Sequence, residues 1–276
     1  MISLRVHLLA LVLCSAVAAP LSARPITEEP RNRELDRGKF TIRVHDHVIG
    51  AENFGIEARA DSINCLARSY RTQRTDKGDE QVEKFVGMSF GRMDWGLRFY
   101  QSEETFRGQT LVRGVVMDPT DTAFTVFKED KGGAGAATRL ASAPGRTFVL
   151  DSGLYTLFDL ICVYLGEQTF TSRPLNILTF GEPDTVIEAT VTDRGHETIR
   201  WASRSVSARK LDFAQGGTRF EAWVDPAGRM LRLAHGPSGL LVERVYEPKP
   251  ATKKPAAATP KAATPKTAPP AAKPGG

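Results

Sequence analysis

The chain has 276 residues, 41% of them hydrophobic, with 37 Lys and Arg against 32 Asp and Glu for a net charge of +5. The charge is unevenly placed: residues 248–276 carry six lysines and no acid, whereas residues 24–247 hold thirty basic and thirty-two acidic side chains. The basic excess belongs to the end of the chain, so composition gives no basic face of the kind a nucleic-acid binder needs, and no nucleic-acid partner is expected.

The first residues, MISLRVHLLALVLCSAVAAPLSARP, read as a secretory signal over 1–23. Arg5 supplies the positive start, Leu8 to Ala19 the short apolar run, and small residues allow cleavage after Ala18 or Ala23. Twelve apolar residues fall short of the roughly 20 that a spanning helix needs. The mature protein is expected to be exported, to the periplasm or beyond the cell. Residues 24–38 are polar, contain two prolines and read as a leader.

From Lys39 to Glu247 the pattern is that of an antiparallel β domain. In FTIRVHDHV, Phe40, Ile42, Val44 and Val48 alternate with Thr41, Arg43, His45 and His47, the period of two of a half-buried strand. Further strands are predicted at 51–58, 62–72, 81–90, 95–102, 110–117, 123–128 and 146–150. After Leu175 the pattern resumes in NILTF, TVIEATV, ETIRW and ARKLDF. The chain then closes on a meander, 219–224, 230–234 and 240–246, whose turn Asp225-Pro226-Ala227-Gly228 has type I composition.

One segment departs from this period. Leu154, Leu157, Phe158, Ile161, Cys162 and Leu165 recur at helical spacing, predicting an amphipathic helix over 153–165. Asp151 or Ser152 is placed to cap its start and Gly166 to end it. The fold class is therefore mainly β: a curved antiparallel sheet, half-barrel or open barrel, packed with one helix. Residues 248–276, with eight prolines and no large apolar side chain, are expected to be disordered and extended.

Several motifs bear on chemistry. GMSFG, Gly87 to Gly91, fits the G-x-S-x-G of a serine hydrolase, with His196 and His235 downstream of Ser89. That motif needs a strand-to-helix turn in a parallel sheet, and one helix among many strands argues against it. His45 and His47 share a strand face but lack the third and fourth ligands zinc wants, so a solvated face is the reading. The stretch 130–139, DKGGAGAATR, matches a dinucleotide glycine loop only loosely and reads as a flexible loop. Neither metal nor cofactor is predicted. After signal cleavage Cys65 and Cys162 remain; they either bridge helix to sheet or stand as buried thiols, the latter favoured because each lies on an apolar face.

The hairpin FEAWVDPAGRMLRLAHGPSGLLVERV, residues 220–245, together with the signal and the helix, resembles bacterial periplasmic lipoprotein carriers of the LolA/LolB-like type and other envelope half-barrels. That resemblance implies a non-catalytic carrier holding a lipid or lipoprotein-like ligand inside the curved sheet, with Leu154, Leu157, Phe158 and Ile161 as cavity-lining candidates. The alternative reading is a structural or assembly protein tethered to an anionic cell-wall polymer or membrane surface by Lys249, Lys253, Lys254, Lys261, Lys266 and Lys273. A small serine hydrolase using Ser89 comes third.

Overall fold

The computed structural model describes residues 32–247 apart from 77, 118–122, 131–134, 143–145 and 167. The signal region, most of the leader and the lysine-rich tail lie outside the described residues.

Among the described residues fifteen strands form a single sheet. The first eight make an unbroken meander: β1 Arg33–Val44, β2 His47–Ala58, β3 Ser62–Thr75, β4 Gly78–Gly91, β5 Leu97–Phe106, β6 Gln109–Met117, β7 Ala123–Asp130 and β8 Gly135–Ala141. The chain then crosses to the far edge with β9 Thr147–Leu150 and enters α1 Thr156–Leu165. It returns through β10 Ser172–Thr179, β11 Thr185–Trp201, β12 Arg204–Gln215, β13 Thr218–Val224, β14 Met230–His235 and β15 Leu240–Arg244. The strand order runs from β8 down to β1, then β15 down to β9. Every neighbouring pair is antiparallel except β9 with β10, which α1 connects, since parallel neighbours need a crossover.

Pairing of β1 with β15, Phe40 opposite Arg244 and Val44 opposite Leu240, joins the two meanders into one sheet. That sheet is open yet strongly curled. The helix packs against β2, β9 and β14, strands far apart in the order, and edge strand β9 approaches β5. One apolar cluster accordingly runs through both meanders and the helix, from Phe40, Ile56, Val86 and Tyr100 to Leu157, Ile161, Leu211, Leu233 and Val242.

Alternation gave most strands to within a few residues, and the differences are local. β1 starts at Arg33, inside the stretch read as leader, because its inward residue Asp36 is polar and hides the alternation. His45 and Asp46 have φ of 46° and 68° and form the β1–β2 turn, so FTIRVHDHV is two strands and Val48 is exposed. The glycine stretch 130–139 supplies the start of β8, whose side chains are mostly exposed and carry no apolar stripe. TVIEATV and ETIRW are one strand, β11, irregular between Asp193 and His196. The helix begins at Thr156 rather than 153, since Gly153 has φ of 78° and Asp151 is engaged elsewhere.

Candidate functional site

The predicted amphipathic helix is buried on all sides. Nine of its ten residues are buried, Thr156, Asp159 and Tyr164 along with the apolar stripe. Leu154, Leu157, Phe158 and Ile161 are each 6% exposed or less and belong to the packed core. Phe158 meets Phe213 edge-on at 5.4 Å and Phe220 at 4.9 Å. A buried helix must still satisfy its polar ends, and here side chains of the sheet do so.

Three polar anchors fix α1. At its start, Glu52 of β2 accepts the backbone N–H groups of Tyr155 and Thr156, both at 2.8 Å. Burial pushes the Glu52 carboxyl up, and those hydrogen bonds work against the rise. At mid-helix, Asp159 accepts the Met230 N–H at 2.6 Å and faces Arg244 at 3.2 Å. The Arg244 guanidinium also pairs with Asp36, donates to the Met230 carbonyl and lies over the stacked rings of Phe40 and Phe54. Gly38 makes room for it, because a Cβ there would lie 2.7 Å from Arg244 Nη1. Burial raises Asp159 well above the usual carboxylate range, against the pull of Arg244. Beyond the last turn, Arg209 donates to the carbonyls of Gly166 and Gln168 at 2.9 and 2.7 Å and pairs with Asp193.

A second buried charge cluster ties the chain entering α1 to the first meander. Lys84 Nζ lies 2.7 Å from Asp151 Oδ1, 3.2 Å from the Ser152 carbonyl and 3.2 Å from Glu104. Asp151 also accepts the Tyr100 hydroxyl at 2.7 Å and the Ser102 hydroxyl at 3.0 Å. Burial first, then Asp151, pushes the Tyr100 phenol well up. An ammonium has three donors and no lone pair; all three have acceptors here, and both hydroxyls point at a carboxylate already holding the lysine. The arrangement joins β4, β5 and the chain entering α1.

The residues singled out from sequence are dispersed. Ser89 sits near the end of β4, opposite Asn64 of β3 and Phe99 of β5, in a strand and not on a strand-to-helix turn. His196 lies exposed at the β11 irregularity, and His235 ends β14 beside Phe220 and Ser238. His45 occupies the turn, while His47 opens β2. Cys65 and Cys162 are both buried free thiols, each pushed up by burial and then by Asp159. The six tail lysines lie outside the described residues.

A surface feature that sequence reasoning missed lies on the other side of the sheet. The irregularity in β11 lets the tip of the β11–β12 hairpin bend across the outer face of β13 and β14. There Ile199, Ala208, Trp223 and Leu231 form a second small core, separate from the one around α1. Trp223 Nε1 donates to Glu197, Arg232 to the Arg200 carbonyl at 2.7 Å, and Trp201 Nε1 to the Arg244 carbonyl at 2.8 Å. Between the hairpin tip, the start of β1, the β13–β14 turn and residues 244–247 runs a groove of about 750 Å³.

The groove has an aromatic wall and a charged rim. Trp201 and Tyr246 meet edge-to-face at 5.5 Å, and Arg204 lies 4.5 Å above the Tyr246 ring. On the rim Arg229 clasps Asp225 at 2.6 Å, and Arg37 holds Glu34 at 2.7 Å. The floor is already satisfied: the Arg37 N–H donates to Asp36 and its carbonyl accepts from Arg244. The sequence signal was present but faint, a lone tryptophan at a hairpin tip whose next residues, Ala202 and Ser203, have φ of 47° and 63°.

No family model matches the sequence, and no curated protein matches it. A solved structure does resemble the fold. It is the crystal structure of a DUF1089 family protein from Pseudomonas aeruginosa, with a TM-score of 0.40 and 10% sequence identity. The match covers 65% of this chain and 87% of that one.

Proposed function

We propose that the protein is an exported, non-catalytic binding module that works with a closed interior: a structural or assembly component held at an anionic envelope surface by its lysine-rich tail. One observation carries the choice over a carrier that stores its ligand inside the sheet. The space such a ligand would take is filled by α1, and that helix is anchored at both ends and its middle by Glu52, Asp159 and Arg209. Loading an acyl chain there would expose buried Asp159, Arg244 and Glu52, and breaking one buried pair costs about 3–5 kcal/mol.

The tail reading rests on six lysines without an acid beside a body with two more acids than bases. Lysines near an anionic surface are worth about 1 kcal/mol each. Two measurements test the proposal. Solvent extraction of purified protein followed by mass spectrometry is expected to return no stoichiometric lipid; a bound lipid restores the carrier reading. Co-sedimentation with purified wall and with anionic vesicles is expected to depend on residues 248–276 and to weaken steeply between 0.1 and 1 M salt, where the Debye length falls from about 10 to about 3 Å. Equal binding by a chain ending at Glu247 overturns the tether.

A further inference from the structure

We infer that the groove beside Trp201 and Tyr246 is a docking site for a proline-bearing extended chain, and that its occupant is the protein's own tail, entering from residue 248. The position of the chain end is the first argument. Tyr246 and Glu247, the last described residues, themselves line the groove, so any segment that follows starts from its wall. Val245 still donates to the Lys39 carbonyl at 2.8 Å, so the backbone is held against β1 up to that point.

Matching chemistry is the second argument. An ordinary extended peptide brings a donor at every residue and gains affinity by adding to a free sheet edge. Here the edge of β1 at Arg37 is closed by the Asp36 and Arg244 side chains. What the groove does offer is two half-buried aromatic rings. A proline-rich segment suits this surface, since proline has no N–H to satisfy and extended proline-rich chains dock on aromatic-lined grooves with little ordering cost. Residues 248–276 contain eight prolines, beginning with Pro248 and Pro250 and continuing at 255, 260, 265 and 270.

Charge and space agree. Arg244 is compensated within the fold by Asp36 and Asp159, and Arg37 and Arg229 by Glu34 and Asp225. Glu247, exposed at the edge of the groove, adds negative charge there. A volume of about 750 Å³ is that of a small-ligand pocket, enough for a few residues. The remaining tail lysines stay outside it, so docking the first prolines leaves most of the charge for a surface. Among the described residues every strand and the helix lie within Arg33–Arg244, so a chain ending at Glu247 keeps the described sheet.

The chain and peptide comparisons need no envelope polymer, so their outcome is separate from that of the tether. Hydrogen exchange and tryptophan fluorescence are compared for the full chain, a chain ending at Glu247, and a full chain with Pro248, Pro250 and Pro255 replaced by alanine. Trp201→Phe assigns the fluorescence. Docking predicts slower exchange at the hairpin tip and at 33–37 only when tail and prolines are both present. In trans, a synthetic peptide of residues 248–262 is expected to titrate the shortened chain with half-saturation at or below about 1 mM, the effective concentration a short tether supplies. The all-alanine version of that peptide, with its lysines kept, is expected to bind about tenfold more weakly, as is the proline peptide to Tyr246→Ala. Identical exchange in all three chains, or equal binding by both peptides, overturns the inference. A wall-glycan fragment that shifts the Trp201 signal where the proline peptide does not overturns it as well.

Discussion

Arg244 and Arg229 line the same groove, fifteen residues apart, yet they belong to different worlds. Arg229 donates from two nitrogens to one carboxylate oxygen of Asp225, with its side chain 45% exposed. Arg244, 8% exposed, faces two carboxylates, two backbone carbonyls and two aromatic rings. Water screens the first pair and competes for it, which limits its worth to about 0–1 kcal/mol. The second sits where an unpaired charge has no alternative partner. The contrast separates the helix-filled interior, where polar contacts decide whether the fold closes, from the outer groove, where they set a surface.

The sharpest way to break that contrast is Arg244→Ala. It leaves Asp36 and Asp159 buried without their cation, and a loss of about 3–5 kcal/mol in urea unfolding is expected. A loss under 1 kcal/mol would put Arg244 in the same class as Arg229. Next comes Leu157→Ala at the centre of the helix, expected to cost about 2–5 kcal/mol through lost burial and a residual cavity. No loss would mean that α1 does not pack as described. Glu52→Ala removes the cap supplied by β2 and strands two buried N–H groups, for about 1–3 kcal/mol; an unchanged midpoint would show that water replaces the carboxylate.

The pH dependence sharpens the same distinction. Burial raises Asp159, so the native state holds that proton more tightly than the unfolded chain. Its contribution to stability is complete below the unfolded carboxylate value of about 4 and falls as pH climbs toward the raised native value. The stability advantage of the parent protein over Asp159→Asn should therefore shrink with rising pH, followed by urea midpoints from pH 4 upward. An advantage that grows with pH would mean that Arg244 outweighs burial. The smallest effect belongs to the groove: Arg229→Ala should shift stability by no more than about 1 kcal/mol. A larger loss there would make the rim part of the core.

The exposure that weakens the groove's contacts also hid it from sequence reading. Strands with a clean inner face, such as β3 with Ile63, Cys65 and Ala67, announce themselves by alternation. β1 does not between Arg33 and Lys39, because its inward position carries Asp36, acceptable there only when Arg244 arrives from a residue over two hundred positions away. Asp151 looked like a local helix cap, yet its carboxylate serves Lys84, Tyr100 and Ser102, and the cap comes from Glu52. Nothing near Glu52 in the chain marks it for that role.

What the sequence determined by itself was periodic or compositional: most of the strands, the one helical stripe, the closing meander, and the division of charge between residues 24–247 and the tail. Period-two and 3.6-residue patterns record which side of a local element is apolar, and that is a property of neighbours along the chain. That β1 pairs with β15, what fills the concave side and where the groove opens were decided only in three dimensions. Each depends on the sheet curling until β9 nears β5 and on charges meeting partners from distant strands. Burial makes those meetings obligatory, because a buried charge without its partner costs more than the small margin by which a domain is stable.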